Sequence, residues 1–119
     1  MTKKKEVNVN NRALEFVYEL EERNPNKFKP NEYGDYQGEV WGKIDDDFIF
    51  VIKSVFDREM VNAGFNSTAF LAWAKRNDLI ATDAGKRTKK ARIIGAATNC
   101  VCVRKDLSEY DPFTDEQTG

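Results

Sequence analysis

Apolar residues recur at helical spacing between Asn11 and Arg23, where Leu14, Val17 and Tyr18, joined by Phe16, share one side of NRALEFVYELEER. The run predicts a helix with Asn10 or Asn11 as its N-cap. Asn24-Pro25-Asn26 ends it, because a residue before proline avoids helical geometry. A polar loop with Pro30, Tyr33, Gly34 and Tyr36 follows. Glu39–Ile44 and Phe48–Ile52 then read as a hairpin around Asp45-Asp46-Asp47, and the unbroken apolar FIFVI arm is expected to be buried on both faces.

A second helix is predicted over VFDREMVNAG, capped by Ser54, with Val55, Phe56, Met60 and Ala63 pointing one way and Gly64 as its stop. Asn66 or Ser67 begins a third, TAFLAWAKRND, whose apolar side is Phe70, Leu71, Trp73 and Ala74. Leu79 and Ile80 enter the core as a short strand or turn. A second hairpin joins Thr88–Ile94 to Thr98–Val103 around Gly95-Ala96-Ala97. Strand alternation puts Lys89, Ala91 and Ile93 on one of its faces and Lys90, Arg92 and Ile94 on the other.

The predicted fold class is therefore α+β. It has a winged-helix-like core of two helices and a basic C-terminal β-hairpin, with an added N-terminal helix and β-hairpin. At 119 residues, 40% of them hydrophobic, the chain has room for one core. The expected division is a flexible basic N-terminus over 1–10, a single domain over 11–105 and a flexible acidic tail over 106–119. No apolar run is long enough to cross a membrane, and the basic start leads into Val-Asn-Val-Asn-Asn rather than an apolar signal core. A cytoplasmic location is expected.

Charge changes this picture most. The net charge is only −1, yet Gly85–Arg104 holds Lys86, Arg87, Lys89, Lys90, Arg92 and Arg104 with no acid among them. Between Glu6 and Asn62 acids outnumber bases thirteen to seven, and the segment after Lys105 carries five acids and no base. Charge segregated in this way presents one face to a polyanion while the rest of the surface stays repellent. The expected phosphate contacts are Lys86, Arg87, Lys89, Lys90 and Arg92. Lys75 and Arg76, at the end of the third helix, suit the helix dipole and are also candidates. Asn66, Ser67 and Thr68 serve first as a cap, although the N–H groups at that helix start also favour a phosphate. A solvated hairpin whose cations only block edge pairing is the plainer alternative.

Catalytic chemistry finds little support. With no histidine there is no imidazole base, nucleophile partner or zinc ligand. Cys100 and Cys102 lie two apart on a strand, share a face and read as buried, reduced core thiols. Trp41 and Trp73 read as core rather than stacking platforms. Asp45–Asp47 reads as a turn, lacking the alternation and distal Glu of a calcium loop. No cofactor and no metal are expected, and no enzyme activity.

The segment FNSTAFLAWAKRNDLIATDAGKRTKKARIIGAATNCVCVR, Phe65–Arg104, resembles the C-terminal accessory region of helicase-like and primase-associated proteins of phages and integrative mobile elements. The matching residues are Trp73, Leu79–Ile80, Gly85, Thr88–Lys90, Arg92–Gly95 and Val101–Val103. The upstream stretch Glu39–Phe56 extends the resemblance. It implies a DNA-binding accessory domain serving replication of a mobile element, with a helicase or primase as partner. No phosphate-binding Gly-Lys-Ser or Gly-Lys-Thr loop is present, so motor activity would lie outside this chain. The alternative function is a protein-interaction module that docks a helicase, a primase or another acidic partner without touching DNA.

Overall fold

Nine-residue strand β5 (Ala96–Arg104) organises the molecule, because β2, β3 and β4 all pair with it. The computed structural model describes residues 2–28 and 39–105. Its other elements are α1 (Thr2–Arg23), a 3-10 turn (Pro25–Lys27), β1 (Gly42–Ile44), β2 (Phe48–Ile52), α2 (Lys53–Asn62), α3 (Ser67–Arg76), β3 (Ile80–Ala81) and β4 (Lys89–Ile93). The five strands form one antiparallel sheet in the order β1-β2-β5-β3, with β4 also on β5. Cys100 pairs with Ile52 on one side and Lys89 on the other, so β2 takes one edge of β5 while β3 and β4 share the opposite edge.

Register decides which side chains meet. Ile49 faces Val103 and Val51 faces Val101, and these four join Phe56, Phe70, Leu71 and Trp73 in the core between sheet and helices. Burying each valine there stabilises by roughly 1.5–3 kcal/mol relative to exposure. One residue out of phase, Phe50 faces Cys102, and with Ile93 and Cys100 they form a smaller cluster on the opposite face. The FIFVI strand thus buries residues on both faces, as its apolar run predicts. Trp41 and Trp73 are both in the main core.

The N-terminal helix brings Ala13, Leu14, Val17 and Leu20 into that core. Its Tyr18 hydroxyl donates to the main-chain oxygen of Arg104 at 2.6 Å, fastening it to the end of β5. The helix runs from Thr2, so residues 2–10, expected outside the domain, continue it. Asn10 and Asn11 therefore do not cap it, and Asn11 is buried mid-helix instead. Lys3–Lys5 and Glu6 are good helix formers, whereas Val7–Asn10 are weak ones carried along by the established helix.

Three further expectations are corrected. Ser54 is not the cap of α2, because β2 passes directly into the helix with Ile52 at the N-cap position. Ala63 is exposed at the helix end, whereas Val55, Phe56 and Met60 are buried as expected. The second hairpin turns on Ile94-Gly95 alone, with Ile93 opposite Ala96, so Ala96 and Ala97 belong to the strand. Both turn residues have positive φ, 49° and 79°. That is the type I′ geometry matching strand twist, which ordinarily selects Asn-Gly. A branched residue in that region carries strain on the order of 1–2 kcal/mol.

The Asp45–Asp47 turn is ordered by its own side chain: Asp45 Oδ1 accepts from the N–H groups of Asp47 and Phe48 at 2.8 and 2.7 Å. No helix among the described residues is long and apolar enough to cross a membrane. The loop containing Tyr33 and Tyr36, and the acidic segment from Asp106, lie outside the described residues.

Candidate nucleic-acid interface

The α2–α3 turn is built by local chemistry. Gly64 adopts φ 85°, and the Phe65 N–H returns to the Met60 carbonyl at 2.8 Å. Asn66 Oδ1 then accepts from the Ala69 N–H at 2.9 Å, capping α3 as the sequence predicts. The Phe65 ring lies 5.6 Å from that of Phe16, which holds the turn against α1. Phe70, Leu71, Trp73 and Ala74 bury one side of α3, leaving Thr68, Ala69, Lys75 and Arg76 exposed on the other, with Ala72 half-buried between them. The solvent face is thus small-residued over most of its length and cationic at its C-terminal end. Ala69 and Ala72 did not figure among the sequence candidates, although they are the complement of the apolar spacing.

The basic hairpin projects beyond the sheet. Its pairing with β4 uses Ala96–Cys100, while β2 reaches β5 only from Cys100 onward, so the end toward Gly95 stands as a two-stranded ribbon. Lys90 opposes Asn99 and Arg92 opposes Ala97, the same face as Val101 and Val103 and hence the helix side of the sheet. Lys89 opposes Cys100 and lies on the other side. The cluster Lys86–Arg92 is therefore not a single gripping surface: Lys90 and Arg92 share the face toward which the helices pack, and Lys89 does not.

Loop 82–88 connects β3 to this ribbon and carries Lys86 and Arg87, both exposed. Lys75 Nζ donates to the Lys86 carbonyl at 2.9 Å, tying the end of α3 to the loop. Asp83 organises the loop from inside. Its main-chain N–H donates to the Thr88 carbonyl, its carbonyl accepts from the Lys86 N–H, and its Oδ2 accepts from the Lys90 N–H at 2.9 Å. Its Oδ1 lies 3.9 Å from Lys89 Nζ. Gly85–Arg104 itself holds no acid, but a carboxylate just upstream does offset one of its cations. Sequence proximity was the available signal, since Asp83 precedes Gly85 by two positions.

Outside this surface four cations are matched, while Arg12, Lys27, Lys43 and Lys105 form no ion pair with another described residue. Arg23, Lys53, Arg58 and Arg104 sit against Glu19, Asp57, Glu39 and Asp78 respectively. Lys75, Arg76, Lys86, Arg87, Lys90 and Arg92 form no ion pair with another described residue. Asn66 and Ser67 stand at the opposite end of α3, about 15 Å from Lys75 and Arg76 at the rise of a ten-residue helix. The structure thus joins Lys75 to Lys86 and sets Asn66 and Ser67 apart. The cysteines lie outside this surface: both are free and buried, and burial pushes the Cys100 and Cys102 thiols up to about 11 and about 12.

Two helices linked by a glycine turn, followed by a projecting two-stranded ribbon and flanked by a third helix, define a winged-helix-like helix-turn-helix domain, a DNA-binding class. The chain matches the model of the Cch helix turn helix domain over residues 8–108 and belongs to that family. No curated protein and no solved structure matches it.

Proposed function

We propose that this domain binds DNA through the phosphate backbone, with little dependence on base sequence. In this reading α3 docks against the duplex, Lys75 and Arg76 flank its end, and Lys86, Arg87, Lys90 and Arg92 grip phosphates beside it. The observation that carries the proposal is the Lys75–Lys86 contact, which joins helix end and loop into one cationic surface whose Lys75, Arg76, Lys86 and Arg87 form no ion pair with another described residue. The small exposed side chains of α3 favour close approach and provide few base-reading groups, Thr68 among them, which supports backbone-directed binding. Asn66 is occupied as a cap, so it and Ser67 contribute through the N–H groups at the helix start. Lys89, on the far face, is the least engaged of the candidates.

The domain does no chemistry of its own on this reading. It serves replication of a phage or mobile element as an accessory to a helicase or primase, a context supported by the resemblance of Phe65–Arg104. Fluorescence anisotropy with unrelated duplexes across a salt series tests the binding. Replacing Lys86, Arg87, Lys90 and Arg92 by Ala should weaken all duplexes similarly and reduce the slope of log affinity against log salt by about 0.9 per lost phosphate contact. Lys89→Ala should have a smaller effect than any of the four. Absence of binding even at low salt would overturn the reading in favour of a protein-interaction module.

A further inference from the structure

Ile94 is a side chain that the fold does not use. It belongs to neither apolar cluster and is 45% exposed, while its neighbour Ile93 is buried at 7%. It also occupies a position that disfavours it, with φ 49° in a turn that Asn would form without strain. Strain and exposure together at one residue mark a role outside folding. The other exposed large hydrophobics among the described residues, Val9 and Val61, lie on α1 and α2 away from the hairpin.

Its surroundings indicate what it meets. Ile94 stands at the tip of the ribbon, beyond exposed Arg92 and beside Gly95 and the small exposed residues Ala96 and Ala97. One bulky apolar side chain on a slim tip, set among cations, complements a surface that is apolar inside and lined with negative charge. A duplex offers that surface, with stacked bases behind two rows of phosphates. A two-residue turn flanked by alanines is among the narrowest protein features. Two strands about 4.8 Å apart centre to centre are still bulkier than a minor groove about 6 Å wide, so entry must widen the groove. A protein partner would call for more apolar surface around the tip than one isoleucine provides.

We propose that Ile94 is a wedge: the hairpin tip enters the minor groove and presses this side chain into a base step, partly unstacking it and unwinding the duplex. The inference rests on the DNA-binding reading above and deepens it by naming the groove and the inserted group. Lys90 and Arg92, on one face of the ribbon, would hold phosphates along one side of the groove, while Ile94 supplies the apolar contact.

The test uses the full chain and two variants. Ile94→Asn suits the left-handed turn and removes the apolar wedge, whereas Ile94→Met keeps an apolar group of wedge length. Thermal melts establish that both variants fold, with Ile94→Asn at least as stable as the parent. Closed circular plasmid relaxed by a topoisomerase in the presence of protein reports unwinding without any assumed target sequence. The parent and Ile94→Met should shift the linking number, and Ile94→Asn should not. Ile94→Asn should bind duplex about tenfold more weakly with an unchanged salt slope, because an apolar contact is lost and no phosphate contact is. Binding by the parent without unwinding, or equal unwinding by Ile94→Asn, would overturn the wedge and leave DNA binding standing. A parent that binds no duplex at low salt would overturn both.

Discussion

Lys75 on α3 reaches the main-chain oxygen of Lys86 at 2.9 Å, across eleven positions of sequence. The contact makes the loop a structural continuation of the helix, so a shift in one is felt by the other. It also explains how a hairpin of surface cations and the end of a short helix become one surface. Neither hydrophobic periodicity nor charge counting could have placed these two lysines together.

The loop's internal carboxylate is the natural lever on that surface. Asp83→Asn keeps an oxygen to accept from the Lys90 N–H and removes the charge beside Lys89. Affinity for duplex DNA should rise at low salt by up to about fivefold, the scale of an exposed charge pair. The gain should fade as salt is raised. Anisotropy titrations of parent and variant at several salt concentrations measure it, and a loss of affinity with the fold intact would contradict the role given to this loop.

The elements most legible in the sequence were those whose burial follows a simple period. Phe70, Leu71, Trp73 and Ala74 announce α3, and the FIFVI strand announces the layer that meets Val101 and Val103. Asn66 was readable as a cap because its chemistry is local. What escaped depends on other forces. Residues 2–10 continue α1 without an apolar stripe in the sequence to announce them, and Ser54 lost its capping role because β2 leads straight into α2. The turn at Ile94-Gly95 contradicts ordinary turn chemistry, so composition pointed to Gly95-Ala96-Ala97 instead. At the site, alternation already separated Lys89 from Lys90 and Arg92, but only the register with β5 shows which of these faces the helices share.

Gly42 is expected to be irreplaceable. A Cβ built there would stand 1.8 Å from the Phe50 carbonyl oxygen and 3.0 Å from the Phe28 ring. The obstruction is paired backbone, which cannot rotate away, and Phe28 beneath it is fully buried. Gly42→Ala should destabilise the domain by about 2–4 kcal/mol, seen as a lower denaturant midpoint, while Gly64→Ala, where the added atom meets nothing, should suffer only its positive φ. Equal stability of Gly42→Ala and the parent would refute this packing.

The two thiols should make the folded protein sensitive to alkali. Burial raises Cys100 to about 11 and Cys102 to about 12 from an ordinary value of 9.0. An unfolded chain ionises these groups first, so their contribution to stability is complete below about pH 9 and is lost as pH rises toward 12. Between pH 9.5 and 11 each thiol should lower stability by about 1.4 kcal/mol per pH unit. Urea melts of the parent and of a Cys100→Ala, Cys102→Ala protein should differ in slope over that window. The same burial predicts negligible maleimide labelling of native protein at neutral pH and full labelling in urea.

Because β2, β3 and β4 all hydrogen-bond to β5, the last strand of the domain is also the keystone of its sheet. On a ribosome the three helices and the earlier strands emerge first and wait with open edges. The sheet cannot close until Val103 has left the exit tunnel, which makes assembly a late, long-range event with the slow kinetics such contacts impose. Premature termination between Arg76 and Cys100 would therefore release a chain with its helical sequences complete but without the strand that closes their core. Such a fragment is a client for proteases and chaperones rather than a weakened version of the domain.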